Sequence, residues 1–123
     1  CDITPVPCHN DVLCENWVVS AAGKMYLIDW EYAGMNDGIW DVADLSIEAV
    51  YDHTLDEALL RAYLGREPET MDWKHFLTNK LYVDYLWTLW AKARVPYDGQ
   101  PMEDWAAERY ARLKENLLEF QQI

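Results

Sequence analysis

The chain is short of positive charge, of cysteine and of long apolar runs, and each shortage excludes something. Only 10 of its 123 residues are Lys or Arg against 22 Asp or Glu, a formal net charge of −12. Nucleic acid and anionic membrane surfaces need clustered Lys and Arg to neutralise phosphates, so neither is an expected partner. The richest apolar stretch, residues 81–93, is too short to cross a bilayer and carries Asp84 and Lys92, so membrane insertion is not expected. Cys1, Cys8 and Cys14 are an odd number crowded near one end, which is no disulfide framework. Cys8, His9 and Cys14 also lack the second close pair that a four-ligand zinc site requires. The first residues hold neither a basic start nor an apolar run, so no secretory leader is read there and the cytoplasm is the expected location. No Gly/Ser-rich or Pro-rich stretch marks a linker, and no internal repeat is evident.

What is present has the balance of a globular protein, 51% hydrophobic with 26% charged residues. The length predicts one lobe around one core. Seven Trp and eight Tyr are many for so short a chain. Large aromatics fill cores, but they also grip ligands that are flat, apolar or cationic.

Residues 17–20 and 25–29 are β-rich runs separated by Ala21, Ala22 and Gly23, which predicts a short antiparallel ribbon. Gly34, Asn36, Asp37 and Gly38 predict a loop over residues 31–39, followed by a helix over 40–51. Thr54 with Glu57 has the spacing of a capping box for the next helix, which Gly65 should stop. A long helix is expected over 72–94, its apolar side formed by Phe76, Leu77, Leu81, Val83, Leu86, Trp87, Leu89 and Trp90, with Pro96 just beyond it. Pro101 stands near the start of a last amphipathic helix reaching about residue 120. The fold class is therefore mostly α with a small antiparallel β ribbon. Asp56, Glu57, Glu67 and Glu69 are expected to form a solvated face, and His53 and His75 to be surface or partly buried side chains.

The chemistry is concentrated in His9-Asn10-Asp11, Asn16 five residues after the aspartate, and Ile28-Asp29-Trp30-Glu31-Tyr32 after the ribbon. Asp and Asn are by themselves commoner as turn and cap residues. Together, these positions bring two carboxylates and a carboxamide to one end of a hairpin, the set needed to orient a hydroxyl and hold magnesium beside ATP phosphates.

This segment resembles the catalytic loop and metal-binding segment of the protein-kinase-like fold, in the variant found in choline and aminoglycoside kinases. The run Ile-Asp-Trp-Glu-Tyr-Ala-Gly, with Asn36 and Asp41 downstream, is closer to choline kinases, bacterial ones in particular. The resemblance implies that Asp11 is the catalytic aspartate orienting the substrate hydroxyl. It implies that Asn16 and Asp29 bind Mg2+ with ATP as co-substrate, with Glu31 as a further metal candidate, direct or through water. It gives Asp41 a structural role, accepting backbone N–H bonds that fix the loop. His9 is expected to be a hydrogen-bonded structural histidine.

Choline carries a quaternary ammonium with no N–H to donate, so aromatic faces and negative charge must hold it. By similarity to choline kinases, Tyr32, Glu48, Trp87, Trp90 and Trp105 match the aromatic cage and its acidic residue. Trp87 and Trp90 are spaced i to i+3, which on an amphipathic helix is by itself more often a core pattern. The family also has a Gly-rich phosphate loop and a phosphate-binding lysine, both in an amino-terminal lobe, and neither occurs before Asp11. The resemblance thus implies that residues 1–123 are the carboxy-terminal, substrate-binding lobe. Alone, these residues are expected to be inactive or nearly so, and open to self-association through the docking surface. Kinases for ethanolamine, an aminoglycoside or another amino alcohol share the catalytic segment. A kinase-like module that binds a cation without transfer is a further alternative.

Overall fold

The computed structural model describes residues 3–123, and Cys1 lies outside the described residues. The chain divides into two compact units, Cys1–Glu69 and Thr70–Ile123, rather than the one core that its length suggests.

In the first unit, β1 (Val6–Cys8) pairs antiparallel with β4 (Gly34–Asn36), Val6 opposite Asn36 and Cys8 opposite Gly34. The hairpin β2 (Trp17–Val19) and β3 (Met25–Leu27) sets Trp17 opposite Leu27. This hairpin is the ribbon read from the sequence. The β1–β4 pair is not: Gly34, Asn36 and their neighbours have loop composition, and the ladder partner of this segment lies far away in sequence, where local propensity carries no information.

Helix α1 (Gly38–Glu48) starts at Asp37, whose carboxylate accepts the Ile39 N–H at 3.0 Å. Helix α2 (His53–Leu64) starts at Asp52, which accepts the Leu55 N–H at 2.9 Å. The capping box at Thr54 is thereby corrected: Asp52 reaches the free N–H groups two residues earlier. Gly65 does end α2, in the left-handed conformation at φ 68°, with its N–H on the Arg61 carbonyl. Asp56 leaves the expected solvated face, being buried and accepting the Ser46 hydroxyl from α1. Glu57 and Glu67 remain outside, both paired with Arg61. Buried apolar side chains here are Cys8, Val12, Ile39, Val42, Ala43, Ile47 and Leu60.

The second unit is a helical hairpin of α3 (Thr70–Asp98) and α4 (Gln100–Gln122), turning at Gly99 with φ 74°. Helix α3 runs through Pro96 instead of stopping before it. A proline one turn from a helix end removes a single ladder bond, that to the Lys92 carbonyl, and the rest of the turn closes with the Gly99 N–H on the Val95 carbonyl. The buried face of α3 also differs from the apolar stripe expected. Phe76, Leu77, Val83 and Ala91 are buried with Asn79, Lys80, Asp84 and Thr88, whereas Leu86, Leu89 and Trp90 are exposed. Among the described residues no helix is long and apolar enough to cross a membrane.

Candidate active site

Strand β1 delivers the chain to His9 and Asn10, and Asn10 turns it through φ 69°. The turn is fixed from α1: the Asp41 carboxylate accepts the His9 N–H at 2.7 Å and the Asn10 N–H at 2.8 Å. One helical turn on, the buried Asp44 accepts the Val12 N–H at 2.8 Å. Two acids three residues apart thus grip the backbone on both sides of Asp11. The Asn10 side chain donates to the Tyr32 carbonyl and accepts from the Asn36 amide, each at 2.9 Å. Asp44 went unremarked in the sequence, although a second acid on an otherwise apolar helical face was a usable signal.

His9 is 1% exposed and links the two halves of the motif. Its Nε2–H donates to the Ile28 carbonyl at 2.8 Å, and its Nδ1 accepts the Asp11 N–H at 3.2 Å, a pairing that selects the neutral tautomer. The ring also packs edge-on to Trp30, centroids 4.8 Å apart. Asn16 ends a single 3-10 turn, Cys14–Asn16, and is buried. Its Nδ2 donates to the Asp11 carbonyl at 2.8 Å, and its own carbonyl accepts the Ile28 N–H at 2.9 Å. Asp29 follows Ile28 in the left-handed region at φ 62°, and Glu31 and Tyr32 are exposed beyond it.

Asp11 itself is 6% exposed, and its Oδ1 is buried with no hydrogen-bond partner. Burial pushes its carboxyl above the ordinary aspartate value; a cationic His9 would oppose this, and the negative charges of Glu48, Asp29 and Glu31 add to it. A desolvated carboxylate oxygen with no donor is an acceptor in waiting for a hydroxyl proton.

Among the described residues no group of three or more His, Cys, Asp and Glu is arranged to hold a metal. The available donors beside Asp11 are the Asn16 amide oxygen and the Asp29 carboxylate. These fit magnesium, which favours oxygen ligands and takes one or two from protein while waters and phosphate oxygens supply the rest.

In the second unit Trp87, Trp90 and Trp105 form a row. Trp87 and Trp90 meet edge to face at 5.8 Å and 83°, and Trp90 and Trp105 at 6.0 Å and 76°. Arg109 stacks over Trp105 at 4.4 Å, and Arg94 lies over Trp90 at 5.7 Å. The structure therefore gathers His9, Asp11, Asn16 and Asp41 into one network that also positions Asp29, and gathers the three tryptophans into another. Glu48, whose charge is felt at Asp11, closes α1 half-buried.

Residues 2–77 match the model of the phosphotransferase enzyme family, APH. Protein LicA of Haemophilus influenzae is 30% identical over 114 residues, 88% of this chain and 33% of that protein. The crystal structure of a choline/ethanolamine kinase family protein from Mesorhizobium loti superposes with a TM-score of 0.87 at 35% identity, covering 95% of this chain and 40% of that one. The choline kinase LicA from Streptococcus pneumoniae gives 0.80 at 30% identity, over 95% of this chain and 41% of that one. The chain thus spans about a third to two-fifths of the length of these relatives. With more than half its length matched by the family model, and with the kinase-like fold shared by its neighbours, the chain belongs to the phosphotransferase enzyme family.

Proposed function

We propose that this chain is the catalytic-loop and substrate-binding lobe of a cytoplasmic enzyme that transfers the γ-phosphoryl group of ATP to the hydroxyl of choline, giving phosphocholine and ADP. The phosphate-clamping loop and lysine are supplied by residues outside these 123. The observation that carries the proposal is the Asp11 carboxylate, buried, raised in pKa and with Oδ1 lacking a donor. The choline hydroxyl donates to that oxygen and is oriented for attack on the γ-phosphorus. As the new O–P bond forms and the bond to the ADP oxygen breaks, the hydroxyl proton passes to Asp11.

Asn16 and Asp29 are the residues to hold magnesium, with Glu31 placed to assist; when bound, the ion neutralises charge on the phosphates. Asp41 and Asp44 hold the backbone around Asp11 so that the carboxylate does not move during transfer. In the second unit Trp87, Trp90 and Trp105 offer indole to a quaternary ammonium; in the first unit Tyr32 offers an aromatic face and Glu48 a carboxylate. Similarity to the choline kinase LicA from Streptococcus pneumoniae supports this choice of alcohol.

The test is ADP formation by the full-length enzyme with choline and with ethanolamine. Turnover on choline at the higher kcat/KM is expected. Preference for ethanolamine, whose N–H groups suit carboxylate acceptors, would transfer the assignment to the amine, and no ADP with either alcohol would overturn it.

A further inference from the structure

The two helices that carry the tryptophan row also share a charged cluster. Asp84 on α3 is completely buried. Its Oδ1 receives the Arg112 Nη2 at 2.6 Å and the Nε at 3.1 Å, and its Oδ2 receives the Nε at 3.0 Å and the Asn116 Nδ2 at 3.3 Å. Thr88 donates its hydroxyl to the Asp84 carbonyl at 2.7 Å. Arg112 and Asn116 stand one turn apart on α4, on the same side as Trp105 and Arg109. The cross-links Asp84–Arg112 and Lys92–Glu103 run in opposite senses along the two helices and fix them antiparallel in one register.

We infer that Asp84 and Arg112 are positioning residues for the ammonium end of the substrate, locking α4 against α3 so that Trp105 stays in contact with Trp90. This rests on the reading of the tryptophan row as a cation site. The geometry makes the coupling steep. A slip of one helical turn moves a side chain by about 5.4 Å, comparable to the 6.0 Å that separates the Trp90 and Trp105 rings. An apolar interface tolerates such slippage, because one leucine contact resembles the next. A guanidinium fork on a buried carboxylate does not, since any other register strands a charge. Polar pairs fix register in coiled coils in the same way.

The experiment uses the full-length enzyme and Arg112→Lys, which keeps the positive charge and removes the fork. The expected result is a choline KM raised on the order of tenfold, with kcat and the ATP KM nearly unchanged. The ultraviolet circular dichroism band from coupled indoles should weaken in parallel. If Arg112→Lys does not fold, Asp84→Asn combined with Arg112→Gln supplies a neutral hydrogen-bonded pair for the same measurements. A variant with lower thermal stability but unchanged choline KM and an unchanged indole band has lost only a structural bond, and overturns the inference. Trp90→Ala in the same assay separates the two readings. If it too leaves the choline KM unchanged, the row is not the cation site; if it raises the KM while Arg112→Lys does not, the positioning role alone fails.

Discussion

Asp41 accepts the backbone N–H groups of His9 and Asn10 at 2.7 and 2.8 Å, so one carboxylate on α1 sets the path of the chain into Asp11. Asp41→Ala leaves both donors without their partner, a cost of about 1–3 kcal/mol each where they are desolvated. In the full-length enzyme it should lower kcat on the order of a hundredfold, because the Asp11 carboxylate loses its aim, while the choline KM changes little. Asp41→Asn, which retains one acceptor oxygen, should recover part of kcat. An Asp41→Ala enzyme with wild-type kcat would show that the loop is held elsewhere.

Burial, together with the charges of Glu48, Asp29 and Glu31, raises the Asp11 carboxyl above its ordinary 3.8. In the proposed mechanism Asp11 accepts a proton and so works ionised; kcat/KM should then fall on its acid limb at a pH above that value. The linkage sign is opposite for stability. A folded-state pKa raised above the unfolded one means that stability is greatest below the unfolded value, declines as pH rises through the folded value, and stays reduced above it. Asp11→Asn should therefore abolish turnover and at pH 7 increase thermal stability. Loss of stability on this substitution, measured by thermal unfolding at pH 7, would mean that the carboxylate has a partner in the folded protein.

Trp90 is 42% exposed and stands between Trp87 and Trp105 in the edge-to-face row. Replacing it by alanine should raise the choline KM on the order of tenfold through loss of cation–π attraction. ATP affinity should be unaffected. Trp90→Phe, which keeps a π face, should fall between; equal effects of Ala and Phe would assign the loss to packing rather than to the aromatic face.

Val50 is 78% exposed and has φ 54° at the end of α1. Its N–H reaches the Ile47 carbonyl and the following Tyr51 N–H reaches the Ser46 carbonyl, the double closure in which glycine normally occupies this position. A β-branched residue there is strained. Val50→Gly should stabilise the protein by about 1 kcal/mol, read from chemical denaturation. No gain would mean that the valine side chain makes up the strain through contacts of its own.

The parts of this molecule that were legible in its sequence are those with short-range causes. The β2–β3 hairpin follows from two β-rich runs around a small-residue turn, and Gly65 stops α2 through a conformation that only glycine adopts easily. The spacing of Asp11, Asn16 and Asp29 was readable because each is tied to a neighbour in the same loop–hairpin unit. What escaped has long-range causes. The partner of β4 is β1, almost thirty residues earlier. Asp84 looked like an interruption of an apolar stripe until Arg112 arrived from α4, and Asp44 holds the Val12 N–H, more than thirty residues earlier. Periodicity reports which side chains are apolar; it does not report which polar ones have found partners inside.

The left-handed backbone at Asp29 carries a consequence for anyone who evolves this protein in the laboratory. With φ 62°, the position suits glycine better than aspartate on conformational grounds alone. Asp11 likewise suits a neutral amide. A selection for heat resistance conducted without a turnover assay is therefore steered toward Gly at 29 and Asn at 11, and under the proposed mechanism its most robust survivors would be dead as catalysts. Val50 offers a harmless gain of the same kind, so the ranking of survivors by activity must come before their ranking by melting temperature.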